Sequence, residues 1–359
     1  MIDTMGVILT SNADTDLGEL TRLRSVAAIP FGGRYRLVDF VLSNLVNSGI
    51  VNVGVATEYN YQSLLDHIGS GKPWGLARKQ FGLRFLPPFS ANSNETDERI
   101  KMLTGVIHYL KRSPQRYVIV ADCNNVCNMR FDDVVALHVD SGADLTVVYQ
   151  QSRDKGVYID VDESGIVKGI ADKGDNRLVG YYVFTKDLLV NVLERYQNIG
   201  QKRFYNDLIA GYIRRHKVVG YRFDGYLSTI TDTTGYFRVS MDLMDSNVRK
   251  DLFISDNRIL TKVKDMVPTR YMDNAEVSSG FIADGCVIDG KVENSILFRG
   301  VTVEKGAVVK DCIVMQNTVI SQNVRLGACI VDKDCVILKG KELVGQPNYP
   351  VVVGKRRTI

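Results

Sequence analysis

Histidine and paired cysteines are scarce in this sequence of 359 residues. It has four histidines and six cysteines, and no Cys-x-x-Cys pair. Because a zinc site needs a cluster of such ligands, we predict no metal–thiolate centre. We interpret the cysteines as reduced, buried thiols of a cytoplasmic protein.

Long apolar runs and a strong excess of one charge are also absent. No apolar stretch approaches the ~20 residues of a membrane helix. The N-terminus lacks the basic segment and the long apolar segment of a signal peptide. The formal net charge is only +4, with the charges dispersed. The sequence therefore predicts a globular protein without a membrane or nucleic-acid partner.

Strands and helices alternate over residues 1–245. Apolar runs at 7–10, 51–57 and 117–121 predict buried strands, and stretches between them have helical periodicity. This alternation predicts an α/β fold with a mostly parallel, doubly wound sheet. Ligands of such sheets bind beyond the carboxyl ends of the strands, which places the predicted site in the loops after Leu9 and after Ala121.

The pattern changes after residue 245. Residues 246–275 are charged and irregular, and we predict a connector there. From 276 to 359, short apolar peaks recur about every five to seven residues and are separated by Gly, Asp, Asn or Ser. This period predicts a C-terminal hexapeptide-repeat domain folded as a left-handed β-helix.

The loop after the first strand is unusual for a phosphate-binding loop. It reads SNADTD over residues 11–16, without a glycine and with two carboxylates. Glycines normally let backbone N–H groups approach a phosphate, and carboxylates repel it. The loop therefore indicates a nucleotide site that has lost its phosphates.

Several longer stretches resemble the bacterial ADP-glucose pyrophosphorylases (glucose-1-phosphate adenylyltransferases). They include PFGGRYRLVDFVLSNLVNSGI (30–50), DHIGSGKPWGL (66–76), TKVKDMVPTRY (261–271), VENSILFRGVTVEKGAVVKDCIVMQNTVI (292–320) and YPVVVGK (349–355). The resemblance implies a nucleotidyltransferase-like domain at 1–245. It also implies a reaction class, in which ADP-glucose is made from ATP and glucose 1-phosphate with Mg²⁺ for glycogen synthesis.

The resemblance also identifies positions at which this chain departs from the catalytic members. Their glycine-rich loop and its arginine correspond to Ser11, Asn12, Asp14 and Asp16, and a Lys-Pro pair falls on Val26-Ala27. One metal-binding aspartate falls on Thr229. The other corresponds to Asp122 if the alignment is anchored on the central strand. It corresponds to Asn124 if the alignment is anchored on the residues downstream of that strand. We prefer the second register, and treat Asp122 as a possible remnant.

Other positions are retained. The sugar-phosphate pair falls on Asp172 and Lys173, and Asp207 keeps its place, so these three are predicted to bind substrate. Arg34, Arg36, Lys355, Arg356 and Arg357 are predicted to bind a phosphorylated sugar effector, since arginine suits phosphate. Apolar residues of the solenoid (Phe281, Ile296, Leu297 and Phe298) are either a partner contact or intrachain core.

The pattern resembles the second, D-type subunit that accompanies the catalytic subunit in some bacteria. It predicts a regulatory, catalytically impaired subunit that binds no cofactor itself. Its partner would be a catalytic subunit with Mg²⁺, and the resemblance implies a heterotetramer. One alternative is an active adenylyltransferase with a divergent loop. Another is a solenoid acyltransferase or a nucleotidyltransferase of different specificity, but no histidine that could serve such an acyltransferase follows His216.

Overall fold

A computed structural model describes residues 3–11, 15–57, 60–87, 97–197, 202–254 and 256–359. These residues form two compact units. The first contains the described residues of 1–13, 40–227 and 256–260, and the second contains those of 14–39, 228–255 and 261–359. In the described part of the chain, no helix is both long enough and apolar enough to cross a membrane.

A nine-stranded mixed sheet forms the centre of the first unit. Its strands are β1 (Thr4–Leu9), β2 (Asn52–Ala56), β3 (Gly82–Leu86), β4 (Tyr117–Asp122), β5 (Leu145–Gln151), β6 (Tyr158–Val161), β7 (Val167–Ala171), β8 (Asn176–Thr185) and β9 (Val218–Arg222). The order is β7-β6-β8-β4-β1-β2-β3, with β5 also beside β8 and β9 beside β5. Strands β4, β1, β2 and β3 are parallel, whereas β8 runs antiparallel to β4. Two short strands, Asn125–Cys127 and Leu227–Thr229, lie outside this sheet.

Helices follow the apolar strands as the sequence predicts. They are α1 (Leu37–Asn47), α2 (Gln62–Ile68), α3 (Glu98–Gly105), α4 (Ile107–Arg112), α5 (Phe131–Ser141), α6 (Lys186–Gln197), α7 (Ala210–Arg215), α8 (Thr233–Met241) and α9 (Ser246–Phe253). A π-helical turn, Phe204–Ile209, precedes α7. Short 3₁₀ turns occur at Gly18–Leu20, Val26–Ala28, Lys72–Trp74 and Asp242–Met244.

Two details of the helices differ from the prediction. The periodicity of residues 100–112 predicts one helix, but the chain forms α3 and α4, because Val106 leaves helical geometry (φ −96°, ψ 3°). Residues 246–253, within the predicted connector, form α9. Asp245 caps this helix by accepting a hydrogen bond from the Asn247 amide at 2.8 Å. A capped start of this kind stabilises even a short, charged helix.

A β-hairpin in the second unit carries the GGRYR motif. Its strands are Pro30–Phe31 and Tyr35–Arg36, paired antiparallel. Gly32 and Gly33 both adopt positive φ, at 55° and 79°, a conformation that glycine reaches without steric cost. The turn therefore depends on these two glycines and fixes where Arg34 and Arg36 leave the backbone.

The C-terminal part of the second unit is the predicted β-helix, with three parallel five-stranded sheets. The first contains Arg270–Tyr271, Val287–Ile288, Thr302–Val303, Val319–Ile320 and Val336–Ile337. The second contains Glu276–Ser278, Lys291–Glu293, Val308–Lys310, Arg325–Gly327 and Glu342–Val344. The third contains Phe281–Ile282, Ile296–Leu297, Ile313–Val314, Cys329–Val331 and Val351–Val353. The α/β domain followed by a left-handed β-helix is thus confirmed.

Asparagine and aspartate form several corners of this solenoid. Asn294, Asp311, Asn317 and Asp334 adopt positive φ, which these residues tolerate better than most. Their side chains also connect successive coils, as the Asn294 amide donates to Asp311 at 2.6 Å and the Asn317 amide to Asp334 at 3.2 Å. These polar residues, which punctuate the apolar peaks in the sequence, therefore form the bends between short strands.

The solenoid interior takes up the apolar residues that we also considered as a partner contact. Ile296, Leu297 and Phe298 are fully buried, and Phe281 is half-buried. Intrachain core is therefore the correct alternative for the first three. All six cysteines are buried and free, as predicted.

Candidate functional site

The predicted ligand-binding edge of the first unit is formed by two parallel strands that end side by side. Leu9 of β1 is in register with Asp122 of β4, so Ser11 follows one strand end and Asn124 the other. Open α/β sheets bind ligands at this edge. Two further predicted positions, Asn12 and Asp14, lie outside the described residues.

Asp122, the possible remnant of a metal site, is paired with an arginine. Arg99 donates from Nε to Oδ1 at 3.2 Å and from a terminal nitrogen to Oδ2 at 3.1 Å. Arg99 is 5% exposed and Asp122 is 7% exposed. Both oxygens of the carboxylate therefore accept hydrogen bonds from a cation that belongs to the chain itself, in the two-pronged geometry characteristic of arginine.

The start of α3 and two aromatic rings hold Arg99 in place. Its guanidinium carbon lies 5.7 Å from the centre of the Phe204 ring and 5.4 Å from that of Tyr205. Asp97 is the N-cap of α3 and accepts from the Arg99 amide at 2.9 Å and from the Phe204 amide at 3.3 Å. Arg99 is thus fixed by its backbone, by stacking and by its ion pair.

The same helix start contacts the loop after β1. The Ser11 hydroxyl donates to Glu98 Oε2 at 2.8 Å, and Ser11 is buried. In the catalytic members, the resemblance puts a glycine-rich, phosphate-binding loop here. In this chain, a side chain and a carboxylate stand at that place, and the carboxylate disfavours an incoming phosphate.

The segment after β4 is packed tightly. The side-chain amide of Asn125 donates to the Val179 carbonyl, and Asn124 is buried. Burial raises the pKa of the Cys123 thiol, and the neighbouring Asp122 carboxylate raises it further. Gly180 of β8, at φ +77°, passes so close that a Cβ there would lie 2.5 Å from Asp122 Oδ2. The surroundings of Asp122 are therefore filled by protein.

Four of the altered positions lie among the described residues of the second unit. Val26 and Ala27, where the resemblance puts a Lys-Pro pair, are fully buried in the core. Asp16 is exposed, and its amide donates to the Thr231 carbonyl at 2.6 Å. Thr229, at the position of a metal-binding aspartate, is a half-buried threonine. None of the four supplies the cation or the metal ligand that the catalytic members use.

The residues present do not fit the Mg²⁺ that the family implies. A hard cation prefers carboxylate oxygens, but the two metal-binding positions of the family fall on Asn124, in the preferred register, and on Thr229. If Asp122 is the remnant instead, both of its oxygens are hydrogen-bonded to Arg99. Within the described ranges, no group of three or more His, Cys, Asp or Glu side chains could hold a metal ion.

The three residues predicted to bind substrate differ in their exposure and in their hydrogen bonds. Asp172 and Lys173 are exposed in the turn after β7. Asp207 accepts from the Arg203 amide at 2.7 Å and so stabilises the π-helical turn, with the Lys202 ammonium 3.9 Å away. Asp207 therefore has a structural role, and its predicted role in substrate binding stays a prediction.

A group of cations in the second unit forms a basic cluster, which we define as Arg24, Arg36, Lys264, Lys333 and Lys355. Lys333 is close enough to Arg36, Arg24 and Lys355 for all three to affect its pKa, and Lys264 is similarly close to Arg36. The cluster includes two of the five predicted effector residues, Arg36 and Lys355. It brings together the hairpin, the connector and the end of the solenoid.

The electrostatics of Lys333 are the most perturbed of the basic cluster. Its pKa is lowered to about 6, mainly by burial and then by the positive charges of Arg36 and Arg24, against a smaller opposing effect of Asp332. Asp332 is itself fully buried and paired with Arg24. Among the described residues, no carboxylate lies within salt-bridge distance of the Lys333 ammonium. An anion bound here would favour the charged lysine.

The other predicted effector residues are arranged differently. Arg34 is exposed and lies near Arg299. Burial lowers the pKa of Arg299, and the positive charge of Arg34 lowers it further. Arg356 and Arg357 are exposed, and the Arg356 amide donates to the Lys333 carbonyl at 3.0 Å. The predicted effector residues therefore do not all belong to the basic cluster. Its members Arg24, Lys264 and Lys333 are residues that the sequence does not single out.

Arg99 is also not singled out by the sequence. The only local signal is Asp97 followed by Glu98, which is typical of a helix start. That signal locates the helix but does not predict that its first turn meets Asp122, 23 residues further along the chain.

Comparisons with known proteins agree with this architecture. Residues 5–246 match the family model described as nucleotidyl transferase, and residues 265–348 match the GlmU-like, C-terminal hexapeptide model. The glycogen biosynthesis protein GlgD of Bacillus subtilis (strain 168) is 34% identical over 352 residues, which cover 98% of this chain and 95% of that relative. The protein of the same name from Geobacillus stearothermophilus is 38% identical over 311 residues, covering 85% and 82%.

A glucose-1-phosphate adenylyltransferase of Clostridium perfringens (strain 13 / Type A) is 30% identical over 383 aligned residues, covering 99% of this chain and 96% of the relative. This chain belongs to the ADP-glucose pyrophosphorylase family. The resemblance predicted from the motifs is thereby confirmed. Within the ADP-glucose pyrophosphorylase family, the chain is similar both to proteins named GlgD and to proteins named as the enzyme.

Proposed function

We propose that this chain is a cytoplasmic, regulatory subunit of glucose-1-phosphate adenylyltransferase in glycogen biosynthesis, and that it turns over little or no ATP itself. The relatives named for glycogen biosynthesis support the pathway. The observation that carries the loss of turnover is the buried ion pair between Arg99 and Asp122, at the edge of the sheet where a nucleotide would meet its metal.

The other altered positions, taken in each unit separately, support the same conclusion. Nucleotidyl transfer depends on positive charge at the leaving phosphates and on a metal ion. Ser11 and Glu98 stand at the loop that would hold those phosphates, and the core packing of Val26 and Ala27 replaces a predicted cation. Each change alone would slow the reaction, and together they remove most of the electrostatic stabilisation of the transition state.

The proposed partner is a catalytic subunit of the same family, which would carry the Mg²⁺ and make ADP-glucose. A hetero-oligomer, most simply a heterotetramer, follows from the resemblance to the D-type subunits. The intact fold supports this assignment, because both domains keep their cores although the reaction site has changed.

The basic cluster is the proposed effector site, and the effector is a phosphorylated sugar. Gathering Arg36, Lys333 and Lys355 costs free energy through like-charge repulsion and burial, which a bound phosphate would offset. Arg34, Arg356 and Arg357 remain proposed outer members. Asp172 and Lys173 are proposed to retain a weak site for glucose 1-phosphate.

The experiment that tests this proposal measures ADP-glucose synthesis by three samples: this chain alone, its catalytic partner alone, and the two co-expressed. We expect negligible synthesis by this chain, and a higher rate from the co-expressed pair than from the partner. A chain that alone makes ADP-glucose at the partner's rate would instead be the active adenylyltransferase with a divergent loop. Failure of the two chains to co-purify would disprove the hetero-oligomer.

A further inference from the structure

We propose that Arg99 is a built-in cation that takes the place of a divalent metal ion at Asp122 and excludes such an ion from this chain. This inference deepens the proposed function, because it gives a physical cause for the loss of turnover. It concerns one ion pair, which can be tested by metal binding without any assay of ADP-glucose synthesis.

The first argument is the competition for the same oxygens. The guanidinium of Arg99 uses both Oδ1 and Oδ2 of Asp122, at 3.2 and 3.1 Å. Mg²⁺ and Mn²⁺ would bind through these oxygens. A divalent ion at Asp122 would also lie next to the positive charge of Arg99, where water does not screen the repulsion well.

The second argument is that Arg99 cannot easily move away. The side chains of Arg99 and Asp122 are only 6% and 10% exposed, whereas those of the surface pair Arg153 and Asp175 are 88% and 64% exposed. The rings of Phe204 and Tyr205 flank the Arg99 guanidinium. An arginine on the surface can turn into solvent when a metal ion arrives, but Arg99 would have to leave a packed site.

The third argument is that the neighbouring acidic side chains have other structural roles. Asp97 accepts hydrogen bonds from the Arg99 and Phe204 amides, and Glu98 accepts one from Ser11. The Cys123 thiol beside Asp122 is held in its protonated form by burial, which raises its pKa. Among the residues that the structure describes, no second ligand is therefore positioned to help Asp122 hold a metal ion against Arg99.

The test is a titration of the purified full-length chain with Mn²⁺ alone, followed by the electron paramagnetic resonance signal of the free ion. Four proteins are compared: the wild type, Arg99→Met, Arg99→Lys, and the double variant Arg99→Met/Asp122→Asn. Arg99→Lys keeps a positive charge at the site, and the double variant removes both charges together.

We expect the wild type, Arg99→Lys and the double variant to bind Mn²⁺ equally weakly. Arg99→Met should bind one Mn²⁺ roughly tenfold more tightly, because the carboxylate remains without its counter-charge. The proposal is wrong if the wild type binds Mn²⁺ more tightly than the double variant does, or if Arg99→Met gains nothing.

If Arg99→Met does not fold, the wild type and the double variant still decide the question. Loss of an entire buried pair is tolerated far better than loss of one partner. A chain that makes ADP-glucose alone would disprove the proposed function, whereas a chain that binds Mn²⁺ through Asp122 would disprove this inference. The two failures are therefore distinguishable.

Discussion

Charged side chains are arranged in opposite ways at the strand ends of the first unit and in the basic cluster of the second unit. At the strand ends, Asp122 meets Arg99 and the two charges compensate each other in a buried site. In the basic cluster, Lys333 is surrounded mainly by charges of its own sign. A buried pair of opposite charges gains little free energy by binding an ion. A cluster of like charges, in contrast, is stabilised by a ligand of opposite charge.

This difference suggests that the two regions have diverged in function. The edge that would bind a nucleotide contains a buried ion pair of the chain's own side chains, whereas the region proposed for an effector gathers several cations. The predictions below test each side of the contrast.

The largest expected effect is a loss of stability when the buried ion pair between Arg99 and Asp122 is broken. Arg99→Met should lower the free energy of unfolding by about 3–5 kcal/mol, because it leaves a buried carboxylate without a partner. Chemical denaturation measures this change, and adding Asp122→Asn should recover most of the loss. The matched control is Arg153→Met, which breaks an exposed pair and should change stability little. Equal effects of Arg99→Met and Arg153→Met would show that the buried pair is unimportant.

The second prediction concerns anion binding by the basic cluster. Lys333→Met and Lys355→Met should each weaken sulfate binding by about tenfold, since each removes one positive charge from the partly buried site in its anion-bound state. Calorimetric titration with sulfate measures the affinity. Lys168→Met is the control, because Lys168 is exposed and paired with Asp162 in the first unit. If all three variants bind sulfate alike, the basic cluster is not an anion site.

The third prediction is a pH dependence of the same binding. Lys333 has a pKa of about 6 in the free protein, so it is neutral at pH 7 and must take up a proton when an anion binds. Sulfate affinity should therefore fall as the pH rises above about 6, by at most about tenfold per pH unit. Arg24, Arg36, Lys355 and Asp332 are the other charged groups that face Lys333.

A control variant separates Lys333 from its neighbours. In Lys333→Met the fall of sulfate affinity between pH 6.5 and 8.5 should largely disappear, and sulfate is chosen because its own charge is constant there. A wild-type affinity that does not change with pH would contradict the assignment of the proton to Lys333.

The smallest expected effect is at the exposed sugar-phosphate pair. Lys173→Met should weaken binding of glucose 1-phosphate by about threefold, because an exposed ammonium is well screened by water. Nuclear magnetic resonance titration suits such weak binding, and Lys155→Met, another exposed lysine, is the control. Equal affinities of the two variants would argue against a retained site at Lys173.

The architecture could be predicted from the sequence because it rests on periodicity. The apolar run at 7–10 predicts the first strand, and the apolar repeat after residue 275 predicts the solenoid. The break at Val106 and the helix at Ser246–Phe253 could not be predicted, since both depend on local geometry and capping rather than on apolar spacing.

The site could be predicted only in part. The altered positions Ser11, Val26 and Thr229 follow from the resemblance, and the structure adds that Val26 is fully buried. The partner of Asp122 could not be predicted, because Arg99 reaches it through the placement of α3. The lowered pKa of Lys333 likewise could not be predicted, because it depends on the fold bringing Arg24 and Arg36 close to it.

The measurement that tests the central claim most directly is made in the assembly with the catalytic partner. Two variants of this chain are co-expressed with an unchanged partner: Arg99→Met/Asp122→Asn, and Lys333→Met/Lys355→Met. The rate of ADP-glucose synthesis is then measured with and without a phosphorylated sugar. We predict that the first variant leaves the rate and its response unchanged, while the second removes the response. A loss of rate in the folded first variant, with the response of the second intact, would contradict the account.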